Sequence, residues 1–449
     1  MLKIGISGVR GVVGVSMTPT LVMDFASAFG SFVDRRPIIL ARDPRVHGPM
    51  LRAACVSALM SSGCDVLDLG VCPTPILQRA VGRRKAGGGV SITAGHNDIR
   101  WNALTFIGPD GTYLNSFQGQ EVLDLYHLGK FDKAATDDLG RLSFASEAEA
   151  VEPYFAALGA FLDVDAVRAA RFKVVIDACA GAGSPFLARF AETLGFDLIP
   201  INDEPNGFFP HDPEPRPRNA AQSVSVVRAI GADAGFLLNS DVSRISLISE
   251  TGEALSEEFT FPLVADARLA RLCGPVITNY STSRMIEDVA RARRCPLIRT
   301  KVGQSHVILS LGQEEGVLAG EGSGGVAVPA FQSAFDGFLT MGLVLETMAR
   351  TGKRLSALVG ELPRYHIVKE KLYCPPSRIH GILSEVRALF RGRVIDTGDG
   401  IRAEDKQGWI QVRASGTEPM IRLVAEDLSK DRARARVDEI LHAVEQNQR

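Results

Sequence analysis

The 449 residues are 45% apolar and 23% charged, with a net charge of −2, which is ordinary for a globular protein and leaves no global field to recruit nucleic acid or an anionic membrane. Seven cysteines, an odd number without CxxC or Cys/His metal spacing, point to reduced thiols. The opening MLKIGISGVRG lacks the apolar stretch of a signal peptide and no apolar run reaches transmembrane length, so a cytoplasmic protein without a membrane partner is expected.

At this length roughly three or four domains are expected. After an opening glycine-rich loop, Met17 to Arg35 reads as a helix, with Thr18 as cap and Pro19 at the first helical position. Pro37–Ala41, Asp65–Leu69, Val90–Thr93 and Asn102–Ile107 read as strands, with helices at Met50–Ser61 and Pro75–Arg84 between them. This alternation marks an α/β layer architecture. Residues 112–150 are polar and acidic and read as a connecting region with a helix. A second unit starts with the strand Phe172–Asp177 and a helix from Pro185. A proline-rich segment, Asn206–Asn219, follows, and then the strands Ala232–Leu238 and Ile245–Ile248. A third unit takes in a helix near Glu257–Leu272, the strand Pro275–Asn279, a glycine-rich loop at Ala319–Gly325 and a closing helix around Phe335–Arg350. From about Arg364 the pattern becomes a helix, several successive strands and a C-terminal helix from Lys430. The expected domains are 1–150, 151–255, 256–363 and 364–449.

Four loops could carry chemistry. In Gly87–Asn102 a short buried strand ends in Thr93-Ala94-Gly95-His96-Asn97, either a plain strand connection with turn-forming residues or a site bearing an imidazole and an amide. Gly5–Gly11 is either a common glycine turn or an anion site to which Arg10 adds charge. Glu321-Gly322-Ser323-Gly324 is either a glycine turn with a solvated glutamate or a site whose carboxylate accepts from sugar hydroxyls. Arg413 to Pro419 (RASGTEP) can present several backbone N–H groups to one anion, with Arg413 as a bidentate donor. The competing reading, a helix start on Ser415 and Glu418, is opposed by the strand-like alternation of Ile421, Leu423 and Ala425 with Arg422, Val424 and Glu426.

Together these loops, in this order, resemble the α-D-phosphohexomutase superfamily, which includes phosphoglucomutase, phosphomannomutase and phosphoglucosamine mutase. The family opening GTSGxRG corresponds to Gly5–Gly11 and its TASHNP loop to Thr93–Asp98. Its metal loop DGDxDR corresponds to Asn239–Arg244, its sugar loop GExSG to Gly320–Gly324, and its phosphate loop RxSGTEP to Arg413–Pro419. The resemblance implies an α/β protein of four domains around a central cleft: three similar α/β domains with mixed sheets and a smaller C-terminal α+β domain. It implies transfer of a phosphoryl group between the 1- and 6-hydroxyls of a hexose through a phosphoserine, with Mg²⁺ held by three aspartates and a hexose bisphosphate as intermediate ligand. It assigns catalytic positions to Gly95, His96 and Arg10, and substrate binding to Ser7, Lys301, Glu321 and Ser323. Phosphate binding falls to Arg413, Ser415, Gly416, Thr417 and Arg422, and the metal to Asp241.

The departures from the family pattern fall on the chemical centre. Gly95 stands at the phosphoserine position. Asn239 and Ser243 replace two of the three metal aspartates, leaving Asp241. Thr105 stands where a lysine is usual, and Gly325 where the sugar loop ends in histidine. The expected function is therefore a phosphohexomutase-like protein that binds hexose phosphates, with phosphoryl transfer lost or strongly impaired. The alternatives are an active mutase or phosphosugar phosphatase with a different acceptor, such as Thr93 or His96, and an assembly or regulatory partner of an active mutase. A homodimer is a further possible association.

Overall fold

The computed structural model describes residues 2–391, 395–415 and 420–446. The chain forms two compact units. One runs to Val264 and takes in Ser323–Val359; the other comprises Ala265–Gly322 and the chain from Gly360 onward.

The first unit opens on a seven-stranded mixed sheet. Its parallel part sets Gly88–Ile92, Ile38–Arg42, Val66–Val71 and Leu142–Phe144 side by side. Trp101–Ile107 then returns antiparallel to Gly88–Ile92. The segment expected to be an opening loop is a β-hairpin, Leu2–Gly5 paired with Gly8–Val12, and Gly8–Val12 also pairs with Trp101–Ile107. Its glycines conceal the strands because strand propensity there is low and the pairing is supplied from ninety residues away. The helix Pro19–Phe32 begins as its sequence requires: Thr18 Oγ1 accepts the Leu21 N–H at 3.3 Å, and Pro19 fills the first position. Phe25 and Phe29 on its apolar face are buried, and Phe29 stacks on Phe106 of the sheet at 4.5 Å between ring centroids.

The second sheet has the order Ile245–Ser249, Ala234–Leu238, Lys173–Asp177, Asp197–Ile201. The last three strands are parallel and the first is an antiparallel hairpin partner. The helix Gly337–Thr351, expected to close the third unit, packs instead on this second layer. Phe338 lies 5.5 Å from Phe155 and 5.0 Å from Phe190, ring to ring. Its cap is Asp336, which accepts from the Leu339 N–H at 3.1 Å and from the Tyr154 hydroxyl at 2.8 Å.

In the other unit Leu297–Thr300, Val276–Asn279 and Leu318–Gly320 run parallel. The C-terminal sheet is antiparallel throughout: His366–Tyr373, Met420–Asp427, Gly408–Ala414, Ile401–Glu404, Ile395–Asp396. The helices Pro376–Leu389 and Lys430–Gln446 bury Ile382, Val386, Val437 and Ile440 in its core. The strand His366–Tyr373 precedes the helix that was expected to open this domain. Its pattern is illegible because it is half-exposed along most of its length and shows no alternation of apolar residues. The architecture is α/β, with an antiparallel sheet in the smaller last domain. Among the described residues no helix is long and apolar enough to cross a membrane.

Candidate functional site

The strand Gly88–Ile92, buried along its whole length, delivers Thr93–Asn97 at its C-terminal end. Open α/β sheets place ligands at such ends. Gly95 sits at φ +53°, a left-handed conformation that costs any residue with a Cβ. The loop is held from beneath by Arg45. Its Nη2 donates to the carbonyls of Gly95 at 3.0 Å and Asn97 at 2.8 Å, and its Nη1 to those of Asp98 at 2.5 Å and Trp101 at 2.9 Å. Arg45 Nε pairs with Asp43 Oδ2 at 2.9 Å, and both side chains are fully buried. Thr93 Oγ1 donates to the same Asp43 oxygen at 2.6 Å and accepts the Gly95 N–H at 3.0 Å. The Ser240 hydroxyl lies 2.7 Å from the Gly95 carbonyl and 3.0 Å from Asp43 Oδ2, with one proton for the two acceptors. This clamp was missed in the sequence, where Asp43 and Arg45 are isolated polar residues without a motif and Ser240 lies in a loop read only for its metal positions.

The Ser240 contact brings the loop Asn239–Arg244 against Gly95. A Cβ on Gly95 would lie 3.2 Å from Asp241 Oδ2 and 3.7 Å from Asn239 Nδ2. The loop is closed on itself. Asp241 Oδ1 accepts from Asn239 Nδ2 at 2.8 Å, Ser243 Oγ at 2.6 Å and the Ser243 N–H at 3.1 Å. Asn239 Oδ1 accepts the Arg244 N–H at 3.0 Å, which fixes the amide so that its NH₂ faces Asp241 and Ser243. A divalent cation needs several oxygen ligands at this point; the loop offers one carboxylate, whose Oδ1 already accepts three donors, and presents an amide nitrogen and a serine hydroxyl where further carboxylates would be needed. These residues do not fit Mg²⁺. Among the described residues no group of three or more His, Cys, Asp or Glu could hold a metal ion.

Cationic groups gather around this loop. Arg10 Nη1 donates to Asn97 Oδ1 at 2.8 Å, and Arg244 Nη1 to His96 Nδ1 at 3.2 Å. A guanidinium cannot accept, so Nδ1 is the unprotonated nitrogen of His96. Burial lowers the Arg10 pKa, and the field of Arg244 lowers it further, while Tyr113 and Asp241 act the other way. Burial likewise pushes the Tyr113 phenol up, and Asp241 adds to that. Arg10, Arg244, Tyr113 and Asp241 therefore share one electrostatic environment. Tyr113, in an unremarkable turn of sequence, was not foreseen. Ser7 lies at the hairpin turn, its carbonyl accepting the Phe106 N–H at 2.8 Å.

The other unit carries a second set. Glu321 is buried, on a loop held by Thr282, whose Oγ1 accepts the Gly322 N–H at 3.2 Å, and by Thr278, whose hydroxyl donates to the Gly320 carbonyl at 2.9 Å. Ser323 belongs to the first unit. His306 is lowered by burial and by Lys301, against Asp399 and Glu321. Arg413 is lowered by burial, with Asp399, Arg422 and Glu321 in its field. Glu321 and Asp399 thus act on both His306 and Arg413, and Lys301 on His306. In the antiparallel sheet Arg413 stands directly opposite Arg422, and Arg422 opposite Lys371. Like charges directly opposite each other destabilise a sheet unless an anion joins them. Arg413 Nε is buried with no hydrogen-bond partner among the described residues. Lys371 was not foreseen, because strand register is not written in local sequence. Ser415 closes the strand end through its N–H to the Met420 carbonyl at 2.9 Å; Gly416 and Thr417 lie outside the described residues.

Four family profiles match the chain in order. The three α/β/α domains of phosphoglucomutase/phosphomannomutase match as domain I over residues 1–133, domain II over 152–252 and domain III over 258–365, and its C-terminal domain matches over 371–443. A protein of Thermococcus kodakarensis named "Phosphoglucomutase/phosphomannomutase" is 36% identical over 96% of this chain and 95% of its own length. One of Methanopyrus kandleri named "Probable phosphoglucosamine mutase" is 33% identical over 98% and 97%. The crystal structure of a phosphoglucomutase/phosphomannomutase family protein from Burkholderia thailandensis superposes with a TM-score of 0.84 at 25% identity, covering 99% of this chain and 97% of that one.

Proposed function

The chain belongs to the phosphoglucomutase/phosphomannomutase family, and from that premise we propose that it binds hexose phosphates while phosphoryl transfer between their 1- and 6-hydroxyls is lost or strongly impaired. One observation carries this reading: Gly95, at the family's phosphoserine position, has no side chain and faces a carboxylate loop already closed by its own hydrogen bonds. Removing the nucleophile alone from a covalent catalytic unit costs on the order of 10⁶ in rate. Without a fitting metal site the electrostatic stabilisation of the transferring group is weakened as well.

The binding residues are retained. Arg413, Arg422 and Lys371, with Ser415, Gly416 and Thr417, would hold a phosphate, whose charge relieves the cross-strand repulsion. In one unit the Glu321 carboxylate would accept from sugar hydroxyls, with Lys301 as a further candidate contact; in the other, Ser7 and Ser323 are the candidate substrate contacts. The domains carrying these loops are 1–150, 151–255, 256–363 and 364–449. A chain that binds without turnover suits a sensor of hexose phosphates or a regulatory partner of an active mutase.

The rival reading, transfer through another acceptor, has less support. The Thr93 hydroxyl is committed to Asp43, and His96 Nδ1 to Arg244. The test is a coupled mutase assay with hexose bisphosphate and Mg²⁺, run beside calorimetry with hexose phosphates. Heat of binding without turnover is expected. Turnover well above background would restore the rival reading, and the absence of heat with every hexose phosphate would remove the proposed one.

A further inference from the structure

We propose that Cys273 and Cys295 form a reversible dithiol–disulfide pair, with Cys273 as the sulfur that meets a small-molecule disulfide. The inference lies beyond the hexose-phosphate reading and does not depend on it.

The backbone brings the two cysteines together. Val276–Asn279 and Leu297–Thr300 run parallel with Val276 opposite Leu297, and the Val276 N–H donates to the Pro296 carbonyl at 2.8 Å. Cys273 and Cys295 stand just ahead of these partners. Neighbouring strands lie about 4.8 Å apart, inside the span of about 4.4–6.8 Å between Cα atoms that a disulfide bridges. The side chains turn the same way. The Cys273 sulfur lies 3.5 Å from the carbonyl of Arg294, the residue before Cys295, and the Cys295 sulfur 3.3 Å from that of Arg293. Cys295 is fixed by its surroundings. The helix Met285–Ala292 ends in a turn in which Arg294 takes φ +57° and the Cys295 N–H donates to the Ala290 carbonyl at 2.9 Å. Arg293 pairs with both Asp266 oxygens, at 2.8 and 2.9 Å.

Access sets this pair apart from the other thiols. Cys273 is exposed and Cys295 is buried. Cys55, Cys64, Cys72 and Cys179 are buried as well, and burial pushes each of their thiols up, which makes them inert. The Cys273 thiol is also raised, but first by its hydrogen bond with Cys295 rather than by burial. The exposed sulfur therefore takes the first step and its neighbour resolves it. The Cys273 thiolate attacks one sulfur of a disulfide RSSR, breaking the S–S bond and releasing RS⁻, which takes up the proton that Cys273 gave. The Cys295 thiolate attacks the Cys273 sulfur of the mixed disulfide and expels the second RS⁻, which takes up the proton of Cys295. The two cysteines lose two electrons, RSSR becomes two RSH, and excess RSH reverses both steps. The link closes the entries of two strands whose far ends lead to Tyr280 and Lys301, so it lies at the opposite end of the sheet from those residues.

The test uses the full reduced chain with oxidised glutathione as probe, read by intact mass and by a peptide map under non-reducing conditions. The expected result is a loss of mass equal to two hydrogens and one peptide pair joined through Cys273 and Cys295, both reversed by dithiothreitol. Cys295→Ser should stop at the mixed disulfide, with one glutathione on Cys273, and Cys295→Ala should do the same if serine at this buried position does not fold. Cys273→Ser should keep the reduced mass over the same time. The inference is overturned if the folded parent chain keeps its reduced mass in excess oxidised glutathione, or if the linked peptides join other cysteines. It is equally overturned if the parent chain stops at a glutathione adduct on Cys273, or if Cys273→Ser loses two hydrogens as fast as the parent. The map of the parent chain needs no variant and decides the pairing by itself.

Discussion

Restoring the family's side chain at one position should not restore its chemistry. Gly95→Ser places a Cβ at φ +53° and 3.2 Å from Asp241 Oδ2. The left-handed conformation costs about 1–2 kcal/mol for a residue with a Cβ. The Arg45 clamp on the loop carbonyls prevents the backbone from relaxing away from it. The contact with a carboxylate is tight without a cation between. Stability should fall by about 1–2 kcal/mol, a drop in thermal midpoint of roughly 1.5–3 °C for the compact unit that carries Gly95. Turnover in the coupled assay should stay at background, because Asn239, Ser243 and Thr105 are unchanged. Differential scanning fluorimetry and the mutase assay on one preparation read both effects. Substantial turnover from this single change would refute the account of the metal loop, and an unmoved midpoint would refute the account of the backbone.

Other consequences follow from named contacts. Arg45→Met leaves Asp43 buried without its cation and frees four carbonyls, so urea denaturation should show a loss of about 3–5 kcal/mol; a loss under about 1 kcal/mol would contradict the clamp. Arg413→Ala should weaken hexose-phosphate binding by about tenfold or more in calorimetry, with unchanged affinity as the adverse result. Burial raises the Asp336 carboxyl from 3.8 to about 6 despite its donors. The folded chain therefore binds more protons than the unfolded chain between about pH 4 and 6, and this group's contribution to stability falls as pH rises through that window, by at most about 1.4 kcal/mol per pH unit. Asp336→Asn keeps a capping oxygen and should remove that slope from the difference between the two proteins' denaturation curves; parallel curves would show that Asp336 does not titrate there.

The ordering of the helices and of the parallel strands was legible because periodicity and caps are local. Thr18 and Pro19 announce their helix, and the alternation from Ile421 to Glu426 announces its strand. The hairpin around Gly5–Gly11 was not, since its second strand is held by pairing with Trp101–Ile107 and its first by pairing with the second, rather than through propensity. The site divides in the same way. Gly95, Asp241 and Arg413 were found because they stand in loops with a recognisable order. Asp43 and Arg45 support the Gly95 loop from a separate segment, Ser240 joins it from the neighbouring metal-loop segment, and Lys371 enters through sheet register. Tyr113 enters through the fields of Arg10 and Asp241. None of these relations has a trace in local sequence. The closure of Asn239, Asp241 and Ser243 on one another could be suspected from their residue types, but the orientation of the Asn239 amide is set by the Arg244 backbone.

The most direct test of binding without transfer is a ³¹P NMR time course of a hexose 1-phosphate with the full chain, hexose bisphosphate and Mg²⁺. The account predicts that the 1-phosphate resonance shifts or broadens on addition of protein and that no 6-phosphate resonance grows. Growth of the 6-phosphate signal, or a spectrum untouched by the protein, would contradict it.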